Sequence, residues 1–497
     1  MAEAIGLKVD DPRFWDPAHL REEVERIFDI CWSCRLCFKF CGSFPSLFAF
    51  IDRKSERMRS DYLAAHPEVV AAADAKRRQA AAQPPSTHEP EGEVGVTYGD
   101  ELPELHGHAA DLSTDEINHV VDLCFQCKLC YPNCPYTPPH DFAIDFPRLL
   151  LRWKAQRTRK DGVPLQTRLM RDTAAIGKLA SQVPALSNRA LRSTANRAVM
   201  EGVMGIHREK LMPTYHEETF PRWWQRRTPQ VEQPQPLKEG IEQPTPLKVA
   251  LFSTCLVDYN DPEVGRAATQ VLEHNGVAVV RPAEQVCCAM PFLDGGDIDA
   301  AARKIRRNVE VFAPLVDEGY AIVIPSPSCS LMVREEFSQI VATPESARVA
   351  QHAHDLDEYL YRLAREGRLK RDFRRRFGRV QYHVPCHIRV QNIGIRGRDL
   401  LKLVADEVDA VQECSGHDGT WSMRKEHFRE SLRWGEKAFA GMRTHAGEPC
   451  ALACTDCRLA ALHLEQGAGR KTVHPVVALA HAYGFDVGKE LESRVVE

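Results

Sequence analysis

Two short runs of cysteines carry the clearest chemical signal in the sequence. The first reads CWSCRLCFKFC over residues 31–41, and the second reads CFQCKLCYPNC over residues 124–134. Both follow the pattern C-x2-C-x2-C-x3-C, whose three closely spaced thiolates can bind three irons of one 4Fe–4S cubane. The fourth cysteine starts the next segment and can bind a neighbouring cluster. The pattern therefore predicts two cubanes that lie close together, as electron relay requires.

The fourth cysteine of each run is expected to serve the cluster of the other run, as in proteins with two adjacent cubanes. Structural zinc sites are the alternative, because C-x2-C also builds zinc fingers. A structural zinc site does not require a third closely spaced cysteine or the x3 spacing before the fourth. Both features occur in both runs, so the pattern favours iron–sulfur clusters. The predicted ligands are Cys31, Cys34, Cys37 and Cys134 for one 4Fe–4S cluster, and Cys124, Cys127, Cys130 and Cys41 for the other.

The downstream half carries further cysteines, ordered as two copies of one unit. KVALFSTC corresponds to RVQYHVPC, VCCAMP to ECSGHD, and AIVIPSPSC to CALACTDC, at offsets of 131, 127 and 128 residues. These offsets indicate a duplication whose cysteines follow strands, where open α/β sheets place their sites. Cys450 aligns with Ile322 inside a strand and is interpreted as a core residue. The predicted metal ligands are Cys255, Cys287, Cys288 and Cys329 in the first copy, and Cys386, Cys414, Cys454 and Cys457 in the second.

Together these motifs resemble a known family, the iron–sulfur proteins that carry two CCG cysteine-rich domains behind a ferredoxin-like two-cluster domain. The family includes the D subunit of heterodisulfide reductase, the iron–sulfur subunit of glycolate oxidase and the C subunit of anaerobic glycerol-3-phosphate dehydrogenase. The resemblance covers nearly the whole chain. The segments CSGHDGTW, YHVPCHIRVQN and CYPNCPYTPP are most similar to a bacterial subgroup often encoded beside rubrerythrin.

The resemblance implies why Cys287 and Cys288 are adjacent: one metal site takes both thiolates. In the fullest family members, five cysteines of one such domain hold a non-cubane iron–sulfur cluster that breaks a disulfide in two one-electron steps. Neither copy has all five positions here, since Ser326 and Ser415 stand in two of them. Four thiolates could still bind an ordinary 4Fe–4S cluster or zinc. Purely structural thiols are the remaining alternative.

Three histidines lie next to these cysteines in the second copy, His383, His387 and His417. They could act as outer-shell hydrogen-bond donors, as proton donors or as replacement ligands. Alternatively, they are polar residues that close strand-end loops.

The secondary structure predicted around the cysteines differs between the upstream and downstream parts of the chain. A helix is predicted ahead of each four-cysteine run, the second with a capping box formed by Ser113 and Glu116. The first of these helices has an apolar face of Leu20, Val24, Ile27 and Phe28. After a proline-rich stretch, short apolar strands alternate with helical segments, an α/β pattern.

These patterns and the resemblance predict a mixed fold. An α-helical, ferredoxin-like two-cluster domain is expected over residues 1–215, with an insertion at about 68–112. A proline-rich linker is expected over 216–246, followed by two α/β cysteine-rich domains over 247–378 and 379–497.

Composition narrows the class of protein. A net charge of −4 and an apolar fraction of 43% are typical of a globular protein without a nucleic-acid partner. The sequence has no apolar run long enough to span a bilayer and no signal-peptide pattern, which predicts a cytoplasmic protein with reduced thiols. The segment 186–213 mixes basic and apolar residues, a pattern that favours a helix whose apolar face packs on the core. The alternative is that this segment contacts the inner face of a membrane, or a helix of a partner protein.

The predicted function is electron transfer within a cytoplasmic redox complex. No nucleotide-binding or flavin-binding motif is visible, so a partner must convert single electrons into two-electron chemistry. A flavoprotein dehydrogenase or a rubrerythrin-type protein is the expected partner. The alternatives are a disulfide reductase with its own cysteine-rich cluster, and a redox or iron sensor or scaffold. Catalytic residues, the electron donor and acceptor, and the oligomeric state are not assigned by the sequence.

Overall fold

A computed structural model describes residues 5–81, 105–417, 419–443 and 452–488. Residues 82–104, which form most of the predicted insertion, and Cys450 lie outside the described residues. The chain divides into two units, Ala18–Cys124, and Met1–Pro17 together with Phe125–Glu497. The first is helical where described, and the second combines helices with two parallel β-sheets. At this level the structure has the mixed class that the sequence predicts.

Helices precede the first strand, apart from a 3-10 turn at Ala109–Asp111. They are α1 (Pro12–Trp15), α2 (Pro17–Cys34), α3 (Ser43–Ala65), α4 (Pro67–Ala81), α5 (Thr114–Leu123), α6 (Phe146–Asp161), α7 (Leu165–Arg171), α8 (Thr173–Ala180), α9 (Pro184–Arg192), α10 (Thr194–Met204) and α11 (Phe220–Arg226).

The two helices predicted ahead of the cysteine runs are present. Helix α2 buries the expected apolar face and ends at Cys34. Helix α5 begins with the predicted capping box, in which Glu116 N donates to Ser113 Oγ at 3.2 Å and Ser113 N donates to Glu116 Oε2 at 2.8 Å. It ends one residue before Cys124. The first run thus begins on the last turn of α2, which carries Cys31 and Cys34, whereas the second run begins directly after α5.

The first α/β repeat builds a parallel sheet in the order β2-β1-β3-β4. A π-helical turn at Met332–Glu336 interrupts its helices. The strands are β1 (Lys248–Leu251), β2 (Ala278–Val280), β3 (Ala321–Ile324) and β4 (Ala353–Asp355). The helices are α12 (Cys255–Tyr259), α13 (Pro262–His274), α14 (Met290–Asp294), α15 (Ile298–Asp317), α16 (Pro327–Leu331), α17 (Phe337–Ile340), α18 (Pro344–Gln351) and α19 (Leu356–Arg365).

The second repeat builds a parallel sheet in the order β6-β5-β7, which matches β2-β1-β3 of the first. An isolated parallel bridge between Cys454 and Val473 stands where the first repeat has β4. The strands are β5 (Phe377–His383), β6 (Ala405–Val411) and β7 (Leu452–Thr455). The helices are α20 (Cys386–Val390), α21 (Arg396–Leu401), α22 (Phe428–Met442), α23 (Arg458–Ala468) and α24 (Pro475–Tyr483), with a 3-10 turn at Trp421–Met423.

The register of the paired strands gives one constant offset between the two repeats, whereas the cysteine positions gave three different offsets. Leu251 of β1 pairs with Val323 of β3, and Tyr382 of β5 pairs with Cys454 of β7. Both pairs are related by an offset of 131 residues, the offset that separates the two strand-end cysteines. Cys454 therefore corresponds to Val323, a residue inside a strand.

The same offset corrects the sequence alignment of the last cysteine element by three residues. Ser326 and Cys457 both occupy the N-cap position of the helix that follows the strand. Ala460 then takes the place of Cys329. The alignment from sequence matched Cys457 to Cys329, because the C-x2-C spacing of Cys454 and Cys457 resembles a ligand pair.

The two repeats share one hydrophobic core. Because side chains alternate across a strand, Leu251 and Val323 point into this core from the first sheet, and Val380 and Leu452 from the second. Cys454, two residues after Leu452, points the same way and is fully buried. Burying each Val or Leu side chain contributes about 1.5 to 3 kcal/mol. The core therefore holds the two strand-end edges in a fixed relation.

A buried carboxylate anchors the second cysteine run to the first repeat. Glu336, at the end of the π-helical turn, accepts from Lys128 Nζ at 2.5 Å and from Arg148 Nη2 at 3.0 Å. Arg148 also donates to Asp145 at 3.0 Å. Burial alone would raise the pKa of Glu336, but the charges of Lys128 and Arg148 hold it at about 2. The carboxylate therefore stays ionised and fixes the loop that carries Lys128.

Replacing Glu336 by glutamine should lower the free energy of unfolding by about 3 to 5 kcal/mol, because it removes the ion-pair partner of buried Lys128 and one of the three carboxylates that pair with Arg148. The native stabilisation should be complete above the unfolded pKa of this carboxyl and be lost as the pH falls toward about 2, since the folded pKa is depressed. Denaturant titrations followed by circular dichroism measure the change.

Glu335→Gln is the matched control for Glu336→Gln. The Glu335 side chain is 31% exposed and pairs with Arg148 at 3.1 Å. Exposed ion pairs contribute about 1 kcal/mol or less. Equal losses in the two variants would contradict the role given to Glu336.

Candidate metal centre

A cavity of about 400 Å³ lies beyond the carboxyl ends of the strands of both repeats. Its wall contains cysteines from both repeats and one from the second upstream run. Parallel α/β sheets place their sites at this edge, where strand-end loops converge. The cysteines that line the cavity are Cys127, Cys255, Cys287, Cys288, Cys329, Cys386 and Cys457.

The first repeat brings four thiols into one connected set. Cys255 is hydrogen-bonded to Cys287, Cys287 to Cys288, and Cys288 to Cys329. Thr173 Oγ1 lies 3.1 Å from the Cys255 sulfur. The hydrogen bond with Cys287, together with burial, raises the pKa of Cys255 well above its ordinary value. The thiols therefore share protons with one another, which a bound metal would displace.

Ser326 and Ser415 occupy the wall of the same cavity. The Ser326 hydroxyl is hydrogen-bonded to the thiol of Cys329. Ser415 is buried directly after Cys414. Both serines thus stand where the resemblance implies that a fuller set would have further sulfur ligands.

The second repeat contains two contacting pairs of donor side chains, Cys386 with Cys414 and Cys457 with His417. Cys386 is hydrogen-bonded to Cys414 and thereby lowers the pKa of Cys414. The Gly416 backbone N–H also donates to the Cys414 sulfur at 3.3 Å. His417 Nε2 lies 3.5 Å from the sulfur of Cys457. Burial lowers the pKa of His417 well below its ordinary value, so the ring is neutral and has a lone pair to offer.

Cys454 is the one predicted ligand of the repeats that the structure directs elsewhere. It faces the shared hydrophobic core from the middle of β7. His417 takes the place of a fourth donor near Cys457. Strand alternation explains the difference, because residues three apart at the end of β7 cannot both reach the cavity from one face.

The other two histidines hold loops rather than face a sulfur. His383 Nε2 lies 3.2 Å from the Glu413 carbonyl. His387 Nε2 donates to the Gln126 carbonyl at 3.1 Å, and its Nδ1 lies 2.9 Å from the Ser328 hydroxyl. Burial lowers the pKa of His387 to about 4, which keeps it neutral. His387 therefore joins loops that carry Cys127, Cys329 and Cys386.

The two upstream runs share one backbone feature. Arg35 and Lys128, each directly after the second cysteine of its run, adopt left-handed backbone conformations at φ 53° and 58°. Cys127 lies close enough to Cys386 for their charges to interact. Within the helical unit, burial and then the charge of Cys124 raise the pKa of Cys41 to about 12. Cys41 thus lies beside the first cysteine of the other run.

The remainder of the cavity wall is mainly apolar and comes from α7 to α10 and the segment after them. Apart from the amphipathic pattern of residues 186–213, no local pattern in the sequence indicated this wall. The apolar lining residues of this region include Leu169, Met170, Ile176, Leu191, Met200, Met204, Ile206 and Met212.

The residues present fit metal or cluster binding in both repeats. Four contacting thiols of the first repeat match the four thiolates taken by a 4Fe–4S cluster or by zinc. In the second repeat, the pairs Cys386–Cys414 and Cys457–His417 supply the donor types of a Cys3His set. The first cysteine of each set, Cys255 or Cys386, begins a short helix that follows a strand.

Three segments of the chain match known protein families. Residues 249–334 and 380–460 match the family described as "Cysteine-rich domain" (CCG), and residues 103–160 match the "Citrate utilization protein B Fer4-like domain" (CitB_N). The chain is 24% identical over 321 residues to the C subunit of anaerobic glycerol-3-phosphate dehydrogenase from Escherichia coli (strain K12), a match that covers 64% of this chain and 77% of that protein. It is 31% identical over 209 residues to lactate utilization protein A of Bacillus thuringiensis (strain Al Hakam), a match that covers 40% of this chain and 84% of that protein.

The chain belongs to the iron–sulfur family of these two proteins. The resemblance drawn from the sequence is confirmed at this level. The two matched CCG segments contain the cavity-lining cysteines of the two repeats, and the Fer4-like match contains the second upstream run. Family membership thus assigns iron–sulfur cofactors to the chain, and the number and type of clusters stay predictions.

Cys41→Ser should damage the cluster bound by Cys124, Cys127 and Cys130, and leave the cluster of the first run intact. The reason is that the serine removes the predicted fourth thiolate, which lies beside Cys124. Iron analysis and electron paramagnetic resonance (EPR) of the anaerobically purified protein measure the loss. Cys134→Ser is the reciprocal variant and should damage the first run's cluster. Loss of the first run's own cluster in Cys41→Ser would refute the exchange.

Cys287→Ser and Cys288→Ser should each remove metal from the first repeat and leave the upstream clusters intact. Alkylation of this pair should be slow in the loaded protein and fast after chelation, since coordinated thiolates are protected. Metal analysis and mass spectrometry of alkylated peptides provide the measurements.

Two controls accompany these variants. Cys454→Ser should keep the full metal content, because Cys454 faces the core. Ser415→Cys restores an adjacent pair beside Cys414 and should alter the spectrum of the second repeat. Full metal retention in both Cys287→Ser and Cys288→Ser would show that the pair is structural.

Proposed function

We propose that this chain is an iron–sulfur electron-transfer subunit of a cytoplasmic redox complex. The observation that carries the proposal is the shared cavity, whose wall joins Cys127 of the upstream run to the cysteine sets of both repeats. One subunit would thereby connect an entry pair of cubanes to a second redox site. The bound clusters would supply transfer of single electrons.

The chain's own residues hold the two ends of this route together. Lys128, next to Cys127, is fixed by Glu336 of the first repeat. His387, next to Cys386, donates to the carbonyl of Gln126 on the other side of Cys127. Two buried interactions therefore keep Cys127 beside Cys386. Burial of both contacts excludes water, which limits rearrangement of the loop during transfer.

A partner would exchange the electrons with a two-electron substrate. The names of the relatives, which refer to a glycerol-3-phosphate dehydrogenase and to lactate utilization, support a dehydrogenase as that partner. A flavoprotein would convert single electrons into electron pairs, and a rubrerythrin-type protein is the alternative partner. No described helix is both long and apolar enough to cross a bilayer. Exposed apolar side chains on α8 to α10, such as Leu179, Leu186 and Val199, support a peripheral contact with a membrane or partner.

A second candidate function is reduction of a small disulfide within the cavity. It is favoured by the thiols in the wall of a largely apolar space of about 400 Å³, which could admit an organic molecule. In this case the cysteine set of the first repeat would itself perform the chemistry, and the upstream run would deliver electrons singly.

The anaerobically purified protein should accept electrons from a low-potential dye and contain about eight iron in its two cubanes. It should not oxidise NADH without a partner, because the sequence has no nucleotide or flavin motif. Stopped-flow spectra should show that the cubanes are reduced before the metal of the repeats. Rapid NADH oxidation by a flavin-free sample would overturn the proposal.

The same reduced sample separates the two candidate functions. Reoxidation by added small disulfides that is abolished in Cys287→Ser would support the disulfide reductase. Reoxidation only by a purified dehydrogenase partner would support the electron-transfer subunit.

A further inference from the structure

Ten carboxyl groups are buried in the described part of the chain, and three of them differ from the rest. Seven form an ion pair with an arginine or a lysine: Asp145, Asp258, Asp261, Glu273, Glu336, Glu358 and Glu366. The other three, Asp355, Asp357 and Asp456, form no ion pair with any described residue. A buried charge without a partner is strongly destabilising. These three carboxyl groups therefore lack a positive charge that the fold supplies to all the others.

The three groups lie together where the two repeats meet. Asp355 ends β4, and Asp357 lies in the first turn of α19, both in the first repeat. Asp456 directly follows β7 of the second repeat. Carboxylate oxygens of Asp357 and Asp456 lie within 4.8 Å of each other, and the Asp357 N–H donates to Asp355 Oδ1 at 3.1 Å. One small region between the repeats thus contains all three groups.

Several oxygen atoms of this group have no hydrogen-bond donor. Asp355 Oδ2 accepts from the Ser330 hydroxyl at 3.0 Å, and Asp456 Oδ2 accepts from the Tyr382 hydroxyl at 2.6 Å. Among the described residues, by contrast, no N–H or O–H group donates to either oxygen of Asp357 or to Asp456 Oδ1. Asp357 is only 1% exposed. Three buried oxygens therefore have lone pairs available at one place.

Close packing and a small cavity border the carboxyl groups. Gly397 approaches so closely that a Cβ atom there would lie 2.8 Å from Asp357 Oδ2 and 2.6 Å from the Tyr382 hydroxyl. Asp456 lines a cavity of about 30 Å³ together with Thr472, whose buried hydroxyl has no described hydrogen-bond partner. A space of this size holds about one or two water molecules. An ion bound by the carboxylates could therefore keep a water ligand.

The donor atoms indicate the class of ion. A ring nitrogen of His474 lies within the same 4.8 Å, but His474 Nδ1 accepts from the Val476 N–H at 3.1 Å. A neutral ring then carries its proton on Nε2 and has no free lone pair for a metal. The available ligands are thus carboxylate oxygens, which suit Mg²⁺ and Mn²⁺, whereas imidazole and thiolate suit zinc and iron. Mg²⁺ commonly binds one or two carboxylates and keeps several waters.

We propose that Asp357 and Asp456 bind a divalent cation of the Mg²⁺ or Mn²⁺ type between the two repeats. The cation supplies the positive charge that the other buried carboxyl groups receive from arginine or lysine. It links the repeats close to their cysteines, because Asp456 precedes Cys457 and Asp355 accepts from the residue after Cys329. The carboxyl groups do not line the cavity of the candidate metal centre, so this inference does not rest on the proposed function.

Binding of Mn²⁺ to the full-length, anaerobically purified protein tests the site. The EPR signal of free Mn²⁺ weakens when the ion is bound, so a titration counts the bound ions. We expect one saturable Mn²⁺ per chain, displaced by Mg²⁺. Asp357→Asn should weaken this binding by about tenfold or more, because it removes a ligand, and should leave the iron content unchanged.

Asp261→Asn is the matched control. Asp261 is buried and lines the same small cavity, but it pairs with Arg458 at 3.0 Å. This variant should bind Mn²⁺ as the native protein does. Added Mg²⁺ should raise the melting temperature of the native protein and of Asp261→Asn but not of Asp357→Asn, since a ligand stabilises only the folded state that binds it.

Two results would overturn the inference directly: absence of saturable Mn²⁺ binding to the native protein, and equal binding by Asp357→Asn. A proton shared by the two carboxyl groups would replace the cation if Asp357→Asn were at least as stable as the native protein and Mg²⁺ stabilised neither. If Asp357→Asn fails to fold, crystals of the native protein soaked in Mn²⁺ decide the question by anomalous scattering. A peak between Asp357 and Asp456 supports the site, and no peak there refutes it.

Discussion

The carboxylate of Glu336 is the interaction on which the arrangement of the cavity depends. It is buried between Lys128, which lies inside a cysteine loop, and Arg148 of α6. The two cations stabilise the ionised carboxylate in this buried position, and Lys128 depends on it in return, whereas Arg148 also pairs with Asp145 and Glu335. This mutual requirement keeps the second cysteine run against the first repeat. The π-helical turn that ends at Glu336 sets the side chain at the required place, a common use of such turns.

Duplication supplied two sites with one architecture and different donor sets. Each repeat offers a cysteine at the start of a short helix after its first strand, Cys255 and Cys386. The first repeat then adds three more thiols, whereas the second adds Cys414, Cys457 and the imidazole of His417. The shared core fixes the distance between the two sites, because strands from both sheets point into it. The donor sets were therefore free to diverge without moving the sites apart.

Sequence reasoning predicted the parts of the fold that depend on local pattern. The face of α2, the capping box of α5 and the repeated strand–cysteine order all follow from spacing of side chains along one element. The sequence-based prediction included Cys454 among the ligands, because the C-x2-C spacing of Cys454 and Cys457 does not show whether Cys454 ends a strand or lies inside it. Only the pairing of Tyr382 with Cys454 reveals that this cysteine faces the core. The contacts of His387 and Glu336 join residues far apart in the chain, and no local pattern indicates them.

The layer of α7 to α10 has a consequence for the electrostatics of whatever the thiols bind. Cys287, Cys288 and Cys329 are buried, and the apolar side chains of Met170, Met200 and other residues of this layer line the same cavity. A charged cofactor held by these thiols would therefore face apolar side chains on that side of the cavity. An apolar wall lowers the local dielectric, so the charges of the cofactor and of the surrounding side chains would interact more strongly than at an exposed site.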